Sequence, residues 1–382
     1  MLGPLVPTGG RRPIRYEQEG DDMTSLADPG RPVTGGVDTH KDTHVAVVVD
    51  EVGRVLGTKA FPADARGYVR LHTWMASHGA LVKVGVEGTG SYGAGLARHL
   101  GAEGVTVVEV VRPNRQVRRR RGKSDPTDAE AAARAALNGE ASGAPKSRDG
   151  AVEALRALRV ARRGAVKART QAANQLRDLI VSAPESLRSR LGPLPTDKRV
   201  KVAARFRPGS LTEPVEATKA AMRSLAVRHQ DLSTEIDRLD EAMGELVPEA
   251  APKGLLDKQG VGPQVAATLL ATAGDNPGRL RSDASFAALC GASPVDASSG
   301  KQVRHRLNRG GDRQANSALW RIVHTRMAHD PRTKAYVQRR TAEGKTTKEI
   351  VRCLKRYVAR ELYRCLVARD AQPVTSASLA AA

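Results

Sequence analysis

A chain of 382 residues with 62 Lys and Arg against 41 Asp and Glu carries a formal net charge of +21, and its length allows two or three domains, each with its own core. That balance points to a polyanion, with nucleic acid ahead of anionic membrane, because phosphate backbones bind basic surface through charge and counterion release. No run approaches the ~18 apolar residues of a membrane span, and Met1 to Gly35 lacks a signal-peptide core, so a cytoplasmic protein with no membrane partner is expected. The three cysteines, Cys290, Cys353 and Cys365, form no C-x-x-C pair, which argues against a disulfide framework or a zinc site. Aromatic residues make up only 3% of the chain, which argues against base-stacking platforms and leaves charge to carry affinity.

Residues 1–32 read as a disordered leader, with Met23 as an alternative start. From Val33 the runs "VTGGVDTH", "THVAVVVD" and "GRVLGTKAF" are β-branched and separated by tight turns, which predicts three antiparallel strands. A helical stretch follows over Asp64 to His78. Then come "LVKVGVE", a Gly-punctuated helix start at "GTGSYGAGLARHL", and "GVTVVEVV", the alternation of an α/β domain. "SDPTDAEAAARAAL" opens a further helix, with Pro126 in its first turn and Ser124 or Asp125 at the N-cap. This α/β domain is expected to occupy residues 33–145.

Residues 146–250 read as a helical hairpin. A long basic helix is predicted over Ala151 to Val181. A second helix carries Met222, Leu225, His229, Leu232, Ile236, Leu239, Met243 and Leu246 in alternating steps of three and four, a coiled-coil seam with one polar position. Segments around Pro193 and Pro208 connect the two, and the hairpin is a candidate for dimerisation. A mainly helical region is expected over 251–367. In it, Gly-Val-Gly-Pro at 260–263 lies between two helical patterns, the shape of a helix–hairpin–helix whose backbone N–H groups meet a phosphate, or a simple capping turn. Between residues 299 and 366 there are 18 Lys and Arg against five acids. The tail, 368–382, reads as disordered.

Four acids stand out in this basic chain. Asp38 and Glu87 fall at predicted strand ends, while Asp125 and Asp128 lie three apart at a helix start, where both can face one side. Hard divalent cations such as Mg2+ or Mn2+ take carboxylate oxygens, and two of them stabilise the attacking and leaving oxygens of an in-line phosphoryl transfer. Taken singly, each acid also fits a turn, a cap or a favoured first-turn charge. Arg112, Arg115, Arg118, Arg119, Arg120, Arg121 and Lys123 directly precede the second pair and are candidates to draw a phosphate backbone to it.

The stretches "GVDTHKDTHVAVVVD", "VGVEGTGSYGAGLARHL", "VVEVVRPNRQVRRRRGKSDPTDAEAAARA", "GVGPQVAATLLA" and "FAALCGASPVDASSGKQVRHRLNRGGDRQANSALWRIV" resemble the transposases of the insertion-sequence 110 family, relatives of the Piv-type site-specific invertases. The resemblance covers most of residues 35–366. It implies a RuvC-like, RNase H-like N-terminal domain whose Asp-Glu-Asp-Asp set falls on Asp38, Glu87, Asp125 and Asp128. It also implies a C-terminal serine nucleophile at Ser299, next to Ser298, in a segment "SSGKQ" where many relatives have a second glycine. Lys301, Arg304, Arg306, Arg309 and Arg313 would then act as phosphate clamps. Further implications are double-stranded donor and target DNA, a structured guide RNA in several members, and dimers that assemble into a tetramer. No helix-turn-helix or zinc finger is evident, consistent with recognition delegated to a guide.

The expected function is therefore metal-dependent excision and insertion of a mobile element through a serine–DNA link. One alternative is a RuvC-like junction resolvase, which cuts with water and dispenses with Ser299. The other is a non-catalytic nucleic-acid-binding protein, for which the acids are dispensable.

Overall fold

The three β-branched runs form an antiparallel meander: β1 (Pro32–Thr39), β2 (Thr43–Val49) and β3 (Val55–Pro62). The protein is described here by a computed structural model over residues 30–110, 124–300 and 305–367. Two further strands, β4 (Ala80–Glu87) and β5 (Thr106–Val110), run parallel to β1, giving a mixed sheet in the order β3-β2-β1-β4-β5. Residues 1–29 of the expected leader lie outside the described residues, while Arg31, also assigned to it, donates to the buried Asp50 at 3.0 Å and Pro32 opens β1.

Alternation along β2 sorts its side chains between two layers. Ala46 and Val48 join Leu71 and Met75 of α1 (Ala65–Ala76) and Leu96 and Leu100 of α2 (Ala94–Ala102). Val45, Val47 and Val49 pack instead on Ala129 and Ala133 of α3 (Asp125–Leu137). The result is a helix–sheet–helix sandwich that fits the RNase H-like arrangement. The approach of α3 is unusually close. Gly36 and Gly85 are register partners on neighbouring strands. A Cβ on Gly36 would lie 2.2 Å from the Ala133 nitrogen and 2.3 Å from the Ala129 carbonyl oxygen, and one on Gly85 would lie 2.4 Å from the Ala132 carbonyl oxygen. Two glycines facing an alanine stripe thus let the helix backbone rest directly on β1 and β4.

The chain divides into two compact units between Gly143 and Ala144. In the second, α4 (Ala151–Val181) runs antiparallel to α7 (Pro214–Ala250). At the tip, Leu176 and Ile180 share a small core with Met222, with α5 (Glu185–Leu191) and with α6 (Thr196–Ala203). The expected proline-rich connection therefore contains two short helices, with Pro184 and Pro195 at their N-caps, where a fixed φ and a missing N–H do no harm.

At the base, Val152, Leu155, Met243 and Val247 merge into one core with α8 (Pro263–Ala273), α9 (Asp283–Leu289), α10 (Arg313–His329) and α12 (Thr347–Val367). A further helix, α11 (Pro331–Ala342), joins α10 to α12. Every residue of α8 from Val265 to Ala273 is buried, as in a helix surrounded by protein. The helix–hairpin–helix expectation fails on its first half. Ala251–Gly262 is a run of turns, because Pro252 and the left-handed Gly254 and Gly260 interrupt any helix before α8. Burial pushes the Cys290 thiol up to about 12, so it acts as a packing group.

Candidate active site

The last register pair between β1 and β4, Val37 and Val86, is followed on each strand by an acid, Asp38 and Glu87. The period of two places both acids on the face that carries Gly36 and Gly85, which is the α3 face. Asp125 and Asp128 occupy the first turn of α3. The close glycine–alanine contact thus brings a helix N-terminus up to two strand ends, and the acids cluster as a consequence. Asp38 and Asp128 are buried, while Glu87 and Asp125 are half-buried. Ser124 holds the N-cap position, but its hydroxyl meets the Thr127 hydroxyl at 2.8 Å, which leaves the Asp125 carboxylate available for other partners.

That partner is His40, which sequence reasoning did not single out. Its Nε2 lies 3.2 Å from Asp125 Oδ1 and 3.6 Å from Asp38 Oδ2, and its Nδ1 is 3.1 Å from the Thr39 carbonyl oxygen. The only sequence signal was the D-x-H spacing of Asp38 and His40, which is common and carries no weight without the fold. Thr39 in turn donates its hydroxyl to the Glu87 carbonyl oxygen at 2.8 Å, clasping the ends of β1 and β4 together.

Burial raises the Asp38 pKa, His40 pulls it down, and the nearby Asp125 and Asp128 push it up. The hydrogen bond to Asp125 raises the pKa of His40, against burial, with Asp38 acting in the same direction. Crowded carboxylates of this kind call for a cation. One ligand atom each from Asp38, His40 and Asp125 lie within 4.8 Å of one another, so these three donors fit a single divalent ion. Glu87 and Asp128 belong to the same corner but not to that converging set.

Ser299 lies in the second unit, exposed, in the loop of a short hairpin between β6 (Val295–Asp296) and β7 (His305–Arg306). Gly300 beside it takes the left-handed conformation at φ 56°. Ser298 is differently employed, since its backbone N–H and its hydroxyl both donate to Asp296 Oδ1, at 2.8 and 2.5 Å. The Ser299 side chain makes no hydrogen bond to a described residue. Behind the hairpin, Lys355 donates to Asn316 Oδ1 at 2.9 Å, and Asn316 donates to the Cys290 and Gly291 carbonyl oxygens at 2.9 Å each, pinning the turn that leads into it. Arg306, Arg309 and Arg313 are exposed, with no carboxylate partner among the described residues. Arg112, Arg115, Arg118, Arg119, Arg120, Arg121, Lys123, Lys301 and Arg304 lie outside the described residues.

A mixed sheet of this order, flanked by helices and with acids gathered at its central strand ends, fits the RNase H-like class of fold. Residues 35–183 match the family model of the DEDD domain of IS110 elements, described as "Transposase", and residues 253–338 match the "Transposase IS116/IS110/IS902 family". The chain belongs to the IS110 family of transposases. It is also similar to the "Insertion element IS110 uncharacterized 43.6 kDa protein" of Streptomyces coelicolor (strain ATCC BAA-471 / A3(2) / M145), with 31% identity over 156 residues. That match covers 40% of this chain and 37% of the relative. Among the described residues, no helix is long and apolar enough to cross a membrane.

Proposed function

We propose that the protein is a metal-dependent DNA recombinase that excises its mobile element and inserts it at a new site through a serine–DNA intermediate. The observation that carries this reading is the convergence of Asp38, His40 and Asp125, with Asp128 and Glu87 adjacent, at one corner of the sheet. Asp38, Asp125 and their neighbours would hold Mg2+ or Mn2+. Such an ion, when bound, stabilises charge on the oxygens of a phosphoryl transfer. The protein's own part is to fix the carboxylates through the Thr39 clasp and the glycine–alanine contact, so that no reorganisation is needed during reaction.

Ser299 is the nucleophile in this reading. Its Oγ forms a bond to a DNA phosphorus as a strand P–O bond breaks, the departing oxygen takes up a proton, and the phosphodiester energy is kept for rejoining. The Ser299 hydroxyl, which has no hydrogen-bond partner among the described residues, against the engaged one of Ser298, supports the choice between the two. Arg306, Arg309 and Arg313 carry the charge needed to hold the strand. A structured guide RNA and a dimer assembling into a tetramer complete the proposal. Both come from the family resemblance, and the net charge of +21 is compatible with an RNA partner.

The serine is tested by incubating the protein with labelled element-end DNA, denaturing it, and looking for a protease-sensitive adduct. The adduct is expected with the native chain and with Ser298→Ala, and it should vanish with Ser299→Ala. Active protein that never forms an adduct would instead favour hydrolysis by a resolvase.

A further inference from the structure

Helices α4, α8 and α10 enclose a cleft of about 220 Å3 whose walls include Arg159, Arg162, Arg163, Gln264, Gln314 and Arg321. The charges in it do not balance. Arg162 is held by Asp240, with Nη2 to Oδ2 at 2.8 Å, and Gln264 donates to the same carboxylate. Among the described residues, Arg159 donates only to the neutral Gln314 Oε1, at 2.9 Å. Arg163 and Arg321 are exposed and have no carboxylate partner among the described residues. Burial holds the Arg159 guanidinium below its ordinary pKa, against the pull of Asp312, and Arg163 and Arg162 push it the same way as burial. Arg159, Arg163 and Arg321 line one cleft with no salt-bridged carboxylate among the described residues, a setting that favours an anion, and the planar fork of arginine suits phosphate oxygens.

A second feature lies on the same helix, α10, outside the residues that line the cleft. Trp320, one of two tryptophans in the chain, is 46% exposed on α10, directly before Arg321 and one turn after Ser317, both of which line the cleft. Its ring packs against His324, with centroids 3.9 Å apart. The exposed face of α4 continues away from the cleft with Lys167, Thr170, Gln171 and Asn174, all polar. Guanidinium groups beside an exposed indole, with a polar track leading off, match the two contacts that an unpaired strand offers: phosphate and base face. A paired base hides its face in the stack, so a duplex can use the arginines but not the tryptophan.

We propose that this cleft binds an unpaired stretch of nucleic acid, with its phosphodiester among Arg159, Arg163 and Arg321 and a base stacked on Trp320. The inference rests on the nucleic-acid-processing reading above. It revises the expectation that charge alone carries affinity.

The test uses the full chain with Trp74→Phe, which leaves Trp320 as the sole tryptophan, titrated with mixed-sequence oligonucleotides of about 16 nucleotides. Single-stranded DNA, single-stranded RNA and duplex DNA form the three arms, and the tighter of the two single strands identifies the natural source. Quenching of Trp320 by single strands is expected, with little change on adding duplex. Arg163→Gln with Arg321→Gln should weaken single-strand binding roughly 10- to 100-fold and lower the salt slope by about 1.4, while Arg163→Lys with Arg321→Lys keeps most of both. Trp320→Ala should cost roughly 5- to 100-fold and Trp320→Phe much less. Unchanged affinity and slope in the glutamine pair, or Trp320 emission indifferent to saturating single strand, would overturn the proposal. If the native chain bound none of the three nucleic acids, the functional reading would fall with it. If Asp38→Asn lost strand exchange while the glutamine pair bound normally, only the cleft assignment would fall.

Discussion

Gly36 and Asp38 stand two apart on one face of β1, and the first determines where the second finds its partners. A methyl group at Gly36 would meet the Ala133 nitrogen at 2.2 Å, an atom of a helix backbone that cannot swing aside. Gly36→Ala is therefore expected to destabilise the first unit by about 1–3 kcal/mol or more and to lower activity further than stability, because α3 must lift and carry Asp125 and Asp128 away. Gly101→Ala on α2 is the control. Nothing lies within 4 Å of the added methyl group there, so melting should shift little or upward. His40 belongs to the same corner, and His40→Asn should lower metal-supported activity roughly 10- to 100-fold, less than any loss at Asp38. Circular dichroism alongside the activity assay separates this from misfolding.

His44 predicts a pH effect on the opposite face of the sheet, where its fully buried ring stacks on Tyr68 at 5.7 Å. Burial holds its pKa below the ordinary value. The unfolded chain thus takes up this proton first, and the linked stability is complete above about pH 6.5 and lost as pH falls below it. Thermal melts of His44→Phe should show a flatter decline on acidification than those of the native chain. The four acids were legible as residues because carboxylates at strand ends are conspicuous in a basic chain. His40 and the glycine–alanine contact were not, since both depend on the register that sets Gly36 beside Gly85.

Among the elements, the strands could be read from the sequence because β-branched runs between turn residues leave little choice, and the helical stretch expected over Asp64 to His78 holds α1, with Asp64 at its N-cap. The short helices α5 and α6 were missed because their prolines look like breaks until they are seen to sit at N-caps. The three-four pattern of α7 is real but splits in two. Met222, Ile236 and Met243 are buried inside the chain, whereas Leu225, Leu232, Leu239 and Leu246, spaced by seven, are half-buried along a flank. Ile236→Ala should accordingly cost about 2–5 kcal/mol. Leu232→Asp with Leu239→Asp should leave the helices formed but reduce the mass found by light scattering, if the flank is where two copies meet. An unchanged mass would confine those leucines to packing within the chain.

At the scale of the molecule, basic charge, acid corner and serine hairpin each have a place in the proposed reaction, and the family models match residues in both compact units. Legibility in the sequence follows locality: charge first, then elements, then the acids, with the arginine cleft last because its walls bring together residues as far apart as Arg159 and Gln314, 155 positions distant. In the proposed function, the acids at the sheet corner drive strand exchange with a divalent ion. That role is tested most directly on a plasmid carrying the element with its flanking DNA, comparing native protein with Asp38→Asn across a magnesium titration while DNA binding is followed separately. Recombinant junctions are expected only with native protein and added metal, with DNA binding retained by the variant. Equal junction formation by Asp38→Asn at saturating magnesium would contradict that role.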